Sequence, residues 1–186
     1  MRVIAGEKRH LLLKCLPGDK VRPTTDITKE TLFNILNPYI PGCSFLDLFS
    51  GTGAIGIEAM SRGAEKVVFV DNARDSLSCI KDNLKHTGLI DDARIIANDA
   101  VSAVVILEGE GKAFDVIFMD PPYDNELEKR VLERLSGSVL VNDDTVIVVE
   151  ASKKTDMSYL PDLGFYVFKE KDYKNNKHVF IRKREV

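Results

Sequence analysis

The chain has 186 residues, 44% of them apolar, and a net charge of −3 that is unevenly spread: residues 1–22 carry +4, residues 169–184 carry +5 and the remainder −12. That length suits one domain, or one domain with a small extension. No apolar run approaches the ~18 residues of a membrane span, no signal-peptide pattern opens the chain, and the expected location is the cytoplasm. Cys15, Cys43 and Cys79 are odd in number and scattered, so they read as reduced thiols. With His10, His86 and His178 they show no ligand spacing, and no metal is expected.

Residues 2–16 read as a hairpin, with Arg2–Ala5 and Leu11–Lys14 flanking a polar tip from Gly6 to His10. A charged tip suits a nucleic-acid backbone or a cover for the domain equally well. Pro17-Gly18-Asp19 is a turn. In Arg22-Pro23-Thr24-Thr25-Asp26 the proline keeps Arg22 extended, and Thr25 or Asp26 caps a helix. That helix turns Ile27, Thr31, Leu32, Ile35 and Leu36 to a core and stops at Pro38. Beyond capping, the Thr-Thr-Asp group is placed to contact a cofactor or a target base.

The stretch Leu46-Asp47-Leu48-Phe49-Ser50-Gly51-Thr52-Gly53-Ala54-Ile55-Gly56 runs from an apolar strand through a glycine turn into a helix. Such a turn brings backbone N–H groups at a helix start toward a ligand. The next strand, Val67–Val70, ends at Asp71, placed for a ribose hydroxyl pair. The literal pattern is also a dinucleotide fingerprint, so the turn predicts a nucleoside cofactor without choosing one. A helix with Ala73, Leu77, Ile80 and Leu84 on one face stops at Gly88. The strand Ala93–Ala97 ends at Asn98-Asp99, where Asp99 either meets an adenine or caps the helix bearing Ala103, Val104 and Leu107.

The strand Phe114–Met119 runs into Asp120-Pro121-Pro122-Tyr123, which decides the chemistry. Methyl transfer to an exocyclic amine on a planar base calls for such a tetrapeptide. Asp120 and a proline carbonyl accept hydrogen bonds from the amine, the prolines hold the carbonyls rigid, and Tyr123 stacks on the base. A helix with Leu127, Val131, Leu132 and Leu135 and the strand Val146–Val149 follow. Continuous apolar strands alternating with amphipathic helices mean a parallel sheet covered on both faces. Ligands then bind at the carboxyl ends of the strands, where the glycine turn, Asp71, Asp99 and Asp120 all fall. Phe165–Phe168 and Val179–Ile181 form a closing antiparallel hairpin with Asn175-Asn176 as its turn. The fold class is therefore α/β, and a parallel sheet ending in an antiparallel hairpin fits a class I, Rossmann-like methyltransferase better than a classical dehydrogenase.

These residues resemble the RsmD family of small-subunit ribosomal RNA guanine-N2 methyltransferases. The likeness rests on Arg22–Asp26 with Glu30 and Leu32-Phe33-Asn34, on Leu46–Gly53 continuing to Gly56–Ala59 and Ser61–Ala64, and on Asp120–Tyr123. It covers nearly the whole chain. It implies a mostly parallel seven-stranded sheet, residues 1–40 as a hairpin-and-helix extension contacting RNA and cofactor, and residues 41–186 as the methyltransferase domain. It implies S-adenosylmethionine as cofactor, with Thr24, Asp47, Phe49, Ser50, Gly51, Gly53, Asp71, Asn72, Asn98 and Asp99 at its site. Asp120, Pro121, Pro122 and Tyr123 would be catalytic. Arg2, Lys8, Arg9 and Arg22 would meet small-subunit rRNA, free or within an assembled ribonucleoprotein particle. The family often has an Arg-Gly pair in the N-terminal hairpin, where this chain has Lys8-Arg9-His10. Glu58 reads as a solvated helix residue with no further role.

The implied reaction is an in-line methyl transfer to guanine N2, of the guanine(966)-N(2) type. The amine's lone pair is delocalised into the ring, so positioning supplies much of the acceleration, and the base leaves its stack to enter the pocket. An adenine-N6 methyltransferase acting on DNA or RNA would use the same tetrapeptide. A nicotinamide-dependent oxidoreductase would leave that tetrapeptide unexplained. A cofactor-binding RNA module without turnover is the reading outside enzymes.

Overall fold

A computed structural model describes residues 1–16, 26–123 and 125–184. Five parallel strands, β1 (Ser44–Leu48), β2 (Lys66–Asp71), β3 (Ala93–Ala97), β4 (Val116–Met119) and β5 (Val146–Ser152), alternate with helices. The helices are α1 (Asp26–Leu36) before β1, then α2 (Ala54–Ser61), α3 (Arg74–Thr87), α4 (Ala100–Glu108) and α5 (Leu127–Leu135). An antiparallel pair, β6 (Phe165–Asp172) and β7 (Asn176–Lys183), completes a seven-stranded sheet in the order β3-β2-β1-β4-β5-β7-β6. The order reverses between β1 and β4, and the carboxyl ends of those two strands open the crevice expected of such a sheet.

Strand alternation divides the core between the two faces of the sheet. Leu46, Leu48, Val68, Val70, Ile117 and Met119 pack with residues of α4 and α5. Phe45, Val67, Phe69, Val116 and Phe118 pack instead with residues of α1, α2 and α3. Each such side chain contributes roughly 1.5–3 kcal/mol when fully buried. Gly88 ends α3 in the left-handed region at φ 69°, with the Leu89 N–H returning to the Leu84 carbonyl at 2.8 Å.

The N-terminal segment turns back as expected, but its ladder shrinks to one bridge between Arg2 and Leu12. Its tip bonds instead to the last turn of α2. Glu7 N–H donates to the Ser61 carbonyl at 2.7 Å, and Lys8 N–H to Ser61 Oγ at 2.9 Å. A Cβ on Gly6 would lie 1.8 Å from the Ser61 carbonyl oxygen, so only glycine fits this approach.

Glu58, expected to be solvated, is fully buried beneath this strap. Its Oε2 accepts from Ile4 N–H at 2.8 Å and lies 3.1 Å from Lys29 Nζ. Its Oε1 accepts from Ala5 N–H at 3.0 Å and from Arg62 Nε at 2.7 Å. Lys29 also donates to the Arg2 carbonyl at 2.6 Å. The expected core face of α1 shifts accordingly. Leu32 and Leu36 are buried as read, but Lys29 and Phe33 join them while Ile27 is 72% exposed.

The closing hairpin is longer than the apolar residues alone suggested. Both strands run eight residues, and the turn is Tyr173–Asn175, with the Tyr173 N–H donating to the Asn176 carbonyl at 2.9 Å. Backbone pairing with β5 extends β7 through polar residues whose side chains follow the pleat.

Candidate active site

β1 ends in a turn held from both sides. Ser50 Oγ donates to the Asp47 carbonyl at 2.7 Å and accepts from Val70 N–H at 3.0 Å, locking the ends of β1 and β2 together. Gly51 N–H donates to Asp71 Oδ2 at 2.8 Å, and Ala73 N–H donates to Asp71 Oδ1 at 2.9 Å. Asp71 therefore fixes the glycine turn and the entry to α3, and its oxygens retain lone pairs for a ligand. Phe49 sits at φ 62°, an unusual conformation for an aromatic residue and a mark of a functional turn.

The glycines divide the work. Gly51 lies at φ 56° with nothing within 4 Å of where a Cβ would stand, so its backbone faces open space. Gly53, at φ 78°, is the N-cap of α2. Gly56 belongs to packing, because a Cβ there would lie 2.3 Å from Phe69 Cε1. This is the role of the third glycine in a strand–turn–helix fingerprint.

Asp47 points under the turn and accepts the Gly56 N–H at 3.0 Å. Burial pushes its carboxyl up to about 8, and the nearby Asp71 charge adds to the shift. It is a neutral hydrogen-bonding group over much of the physiological range.

Beside the turn lies a cavity of about 400 Å³, within the range of small-ligand sites. Phe49, Val101 and Val131 supply an apolar wall, and Asp71, Asn98 and Asp99 stand at the polar end. Asn72 also lines it. Asp99 Oδ1 accepts from Ser102 N–H at 3.0 Å, capping α4, and these hydrogen bonds hold its carboxyl below the ordinary range. The capping role is thus realised at the edge of the cavity itself. Asp47, Ser50, Gly51 and Gly53 lie outside this lining. Thr24 and Arg22 lie outside the described residues.

The tetrapeptide follows β4 on the adjacent strand. Leu48 pairs with Met119, which puts Asp120 next to Phe49, and Met119 pairs with Val149, which puts Asp120 next to Glu150. Pro121 is buried, Pro122 exposed and Tyr123 half-buried. Tyr123 Oη donates to Glu150 Oε1 at 3.4 Å. Glu150 also faces Nε2 of the buried His178 at 3.0 Å. Neither Glu150 nor His178 was singled out from sequence for a role here. One signal was available: Glu150 closes an apolar strand at the same edge as Asp71, Asp99 and Asp120.

The expected RNA contacts fall at different edges. Met1 Sδ lies 3.9 Å from Thr52 Oγ1, so Arg2 starts beside the glycine turn, where it pairs with Asp26 at 2.9 Å. Lys8 and Arg9 lie by the far end of α2. There Gly42 N–H donates to the Gly63 carbonyl, just before β1 begins. The closing hairpin, by contrast, turns at the edge where the parallel strands end: Ser152 pairs with Asn176, and Lys171 and Lys174 are exposed beside that turn.

Known proteins share this architecture. The family described as Conserved hypothetical protein 95 matches residues 1–182. The chain belongs to this family, the RsmD family. Bacillus subtilis YlbH is 39% identical over 84% of this chain and 85% of its own length. The Haemophilus influenzae protein named Ribosomal RNA small subunit methyltransferase D is 33% identical over 92% of this chain and 88% of its own. Among solved structures, Escherichia coli yhhF superposes with a TM-score of 0.84 at 29% identity, covering 99% of this chain and 98% of that one. The RsmD fold therefore includes the carboxyl-terminal antiparallel hairpin seen here.

Proposed function

We propose that the protein uses S-adenosylmethionine to methylate the exocyclic N2 amine of a guanine in small-subunit ribosomal RNA, the guanine(966)-N(2) type of reaction. The observation carrying this reading is the Asp120–Tyr123 turn on the strand beside the glycine turn, at the reversal point of the sheet. The naming of the Haemophilus influenzae relative supports the same substrate class.

The cavity fits the cofactor's chemistry. An apolar slot suits adenine, the Asp99 and Asn98 side chains suit its amine, and Asp71 suits vicinal ribose hydroxyls. Gly51 leaves its backbone facing open space for the methionine end, while the buried Gly53 caps α2 behind it. When bound, the cofactor supplies an electrophilic methyl group on a sulfonium.

The protein's own residues bring the acceptor into place. Asp120 and a carbonyl of Pro121 or Pro122 accept hydrogen bonds from the amine, drawing its lone pair out of the ring and aiming it. Tyr123 supports the flipped base. Orientation supplies most of the acceleration, and Asp120 directs the amine without needing to be a strong base. Arg2, together with Lys171 and Lys174 on the closing hairpin, meets RNA near the target. Lys8, Arg9 and Arg22 take more distant backbone, within a footprint that an assembled particle would complete.

The test is transfer from labelled S-adenosylmethionine to small ribosomal subunits, purified small-subunit RNA and DNA, followed by digestion to nucleosides. N2-methylguanosine in RNA is the expected product. N6-methyladenine would overturn the substrate, and absence of label from every acceptor would overturn the activity. Asp120→Ala should abolish transfer while cofactor affinity stays near that of the unaltered protein.

A further inference from the structure

The closing hairpin does more than finish the sheet. Glu150 on β5 stands directly opposite His178 on β7, and both are buried. A carboxylate in that position is stable only with donors around it, and His178, Asn176 and Tyr123 provide them. His178 Nε2 lies 3.0 Å from Oε2, while Asn176 Nδ2 and Tyr123 Oη approach Oε1 at 2.5 and 3.4 Å. Behind the imidazole, Tyr173 Oη lies 3.1 Å from His178 Nδ1. Burial pushes the Tyr173 hydroxyl up to about 12, with the Glu150 charge adding to it, so this hydroxyl keeps its proton. The arrangement that satisfies each group has Tyr173 donating to Nδ1 and Nε2–H donating to Glu150. Phe118 and Phe180 close edge-on around the ring at 6.2 and 6.4 Å, which fixes its plane.

Three of these side chains come from β7 and its turn, and a fourth from β5. The chain they form ends at the one aromatic side chain of the catalytic turn. The Tyr123–Glu150 distance of 3.4 Å is long beside the ~2.7–2.8 Å of an ordinary O–H···O bond. The tyrosine is therefore more loosely held than His178 and Asn176 are, tethered to a carboxylate that those two partners hold firmly.

We infer that Glu150, held by His178, Tyr173 and Asn176, is a positioning residue that sets the tilt of Tyr123 against the flipped base. This rests on the reading of Tyr123 as the platform for that base. The closing hairpin then acts as a buttress for the catalytic turn.

The test is a double-mutant cycle on the full-length protein, measuring kcat/KM for small-subunit RNA or subunits at saturating S-adenosylmethionine. Glu150→Gln and Tyr123→Phe should each lower kcat/KM by about tenfold, and the double variant should be no worse than the weaker single one. Thermal midpoint and cofactor affinity should be unchanged in Tyr123→Phe. A double variant whose loss is the product of the two single losses would overturn the inference, because Glu150 would then act independently of the tyrosine hydroxyl. Should Glu150→Gln fold poorly, Tyr173→Phe removes only the hydroxyl behind His178. It should cost about threefold alone and nothing further in the Tyr123→Phe background, and a full loss there would refute the link. Tyr123→Ala separates the two levels. Unimpaired transfer by that variant would refute the platform itself, whereas an inactive Tyr123→Ala with a multiplicative cycle would refute only the buttress.

Discussion

Replacing Glu58 with glutamine should destabilise the protein severely, although the residue touches no part of the cavity. The carboxylate is fully buried and takes four donors: the Ile4 and Ala5 N–H groups, Lys29 Nζ and Arg62 Nε. Glutamine keeps the volume but removes the charge that offsets a buried ammonium and a nearly buried guanidinium. Breaking a buried pair from one side costs about 3–5 kcal/mol, and a buried N–H left without an acceptor costs about 1–3 kcal/mol. These contributions overlap. Lys29 relieves part of the first by losing its proton, since burial already pulls its ammonium below the ordinary lysine range. A net loss of about 4 kcal/mol is expected, against a total of about 5–15 kcal/mol for a typical domain. Urea unfolding should show it as a lowered midpoint, and hydrogen exchange should show the Ile4 and Ala5 amides losing protection first. Adding Lys29→Met should recover at least half of the loss, because the unpaired ammonium is then gone. A single variant within about 1 kcal/mol of the unaltered protein would refute the reasoning. Glu58 would then be the solvated residue that its sequence context suggests.

Three further outcomes follow from the same geometry. The folded chain holds a proton on Asp47 up to about pH 8, whereas the unfolded chain releases it in the ordinary carboxylate range, so this group's contribution to stability falls as pH rises between those values. Asp47→Asn should flatten that decline, which approaches about 1.4 kcal/mol per pH unit, and an unaltered pH profile in denaturant titrations would place the carboxyl in solvent. Gly56→Ala gains up to about 1 kcal/mol of helix propensity but drives a Cβ to 2.3 Å from the buried Phe69 ring. Overpacking should win, giving a net loss of about 1–2 kcal/mol by thermal unfolding, and a stabilised variant would contradict the packing. Lys171→Glu with Lys174→Glu should weaken RNA binding and reduce its salt slope by about one to two, more than Lys8→Glu does. Equal effects would mean that the far end of α2 is as close to the RNA as the reacting edge.

The strands and most of the helices were legible because burial imposes a period. Val67–Val70 and Val146–Val149 are apolar throughout since both faces of the sheet are covered. The glycine turn, Asp71 and the Asp-Pro-Pro-Tyr turn were legible because special backbone and polar groups concentrate where strands end at a switch point. Glu58 was not, because the groups that bury it come from residues 4, 5 and 29, and no local pattern in α2 records them. Ile27 failed for the complementary reason: on α1 the contacts of Lys29 with the Arg2 carbonyl and Glu58, and of Phe33 with Arg62, not the apolar count, mark the face that turns inward.

Glu150 lies between these cases: its place at a strand end is visible in the sequence, and its buried partners are not. From sequence, Asp71 and Asp120 are expected to meet ligand and Asp99 to meet ligand or cap a helix, and Glu150 stands at the same end of its strand, β5. What differs is its neighbour. Asp71 and Asp99 face a cavity, whereas the strand beside Glu150 on its outer side is antiparallel β7, and the cross-strand partner is His178. The antiparallel addition brings its own side chains up to the reacting edge. It thereby turns an acid that would otherwise meet ligand or water into an anchor for a neighbouring loop. A strand added antiparallel at this end of the sheet therefore reaches Glu150, and through it Tyr123, without lining the cavity beside the glycine turn. For this reason the cycle between Glu150 and Tyr123 should register in RNA turnover.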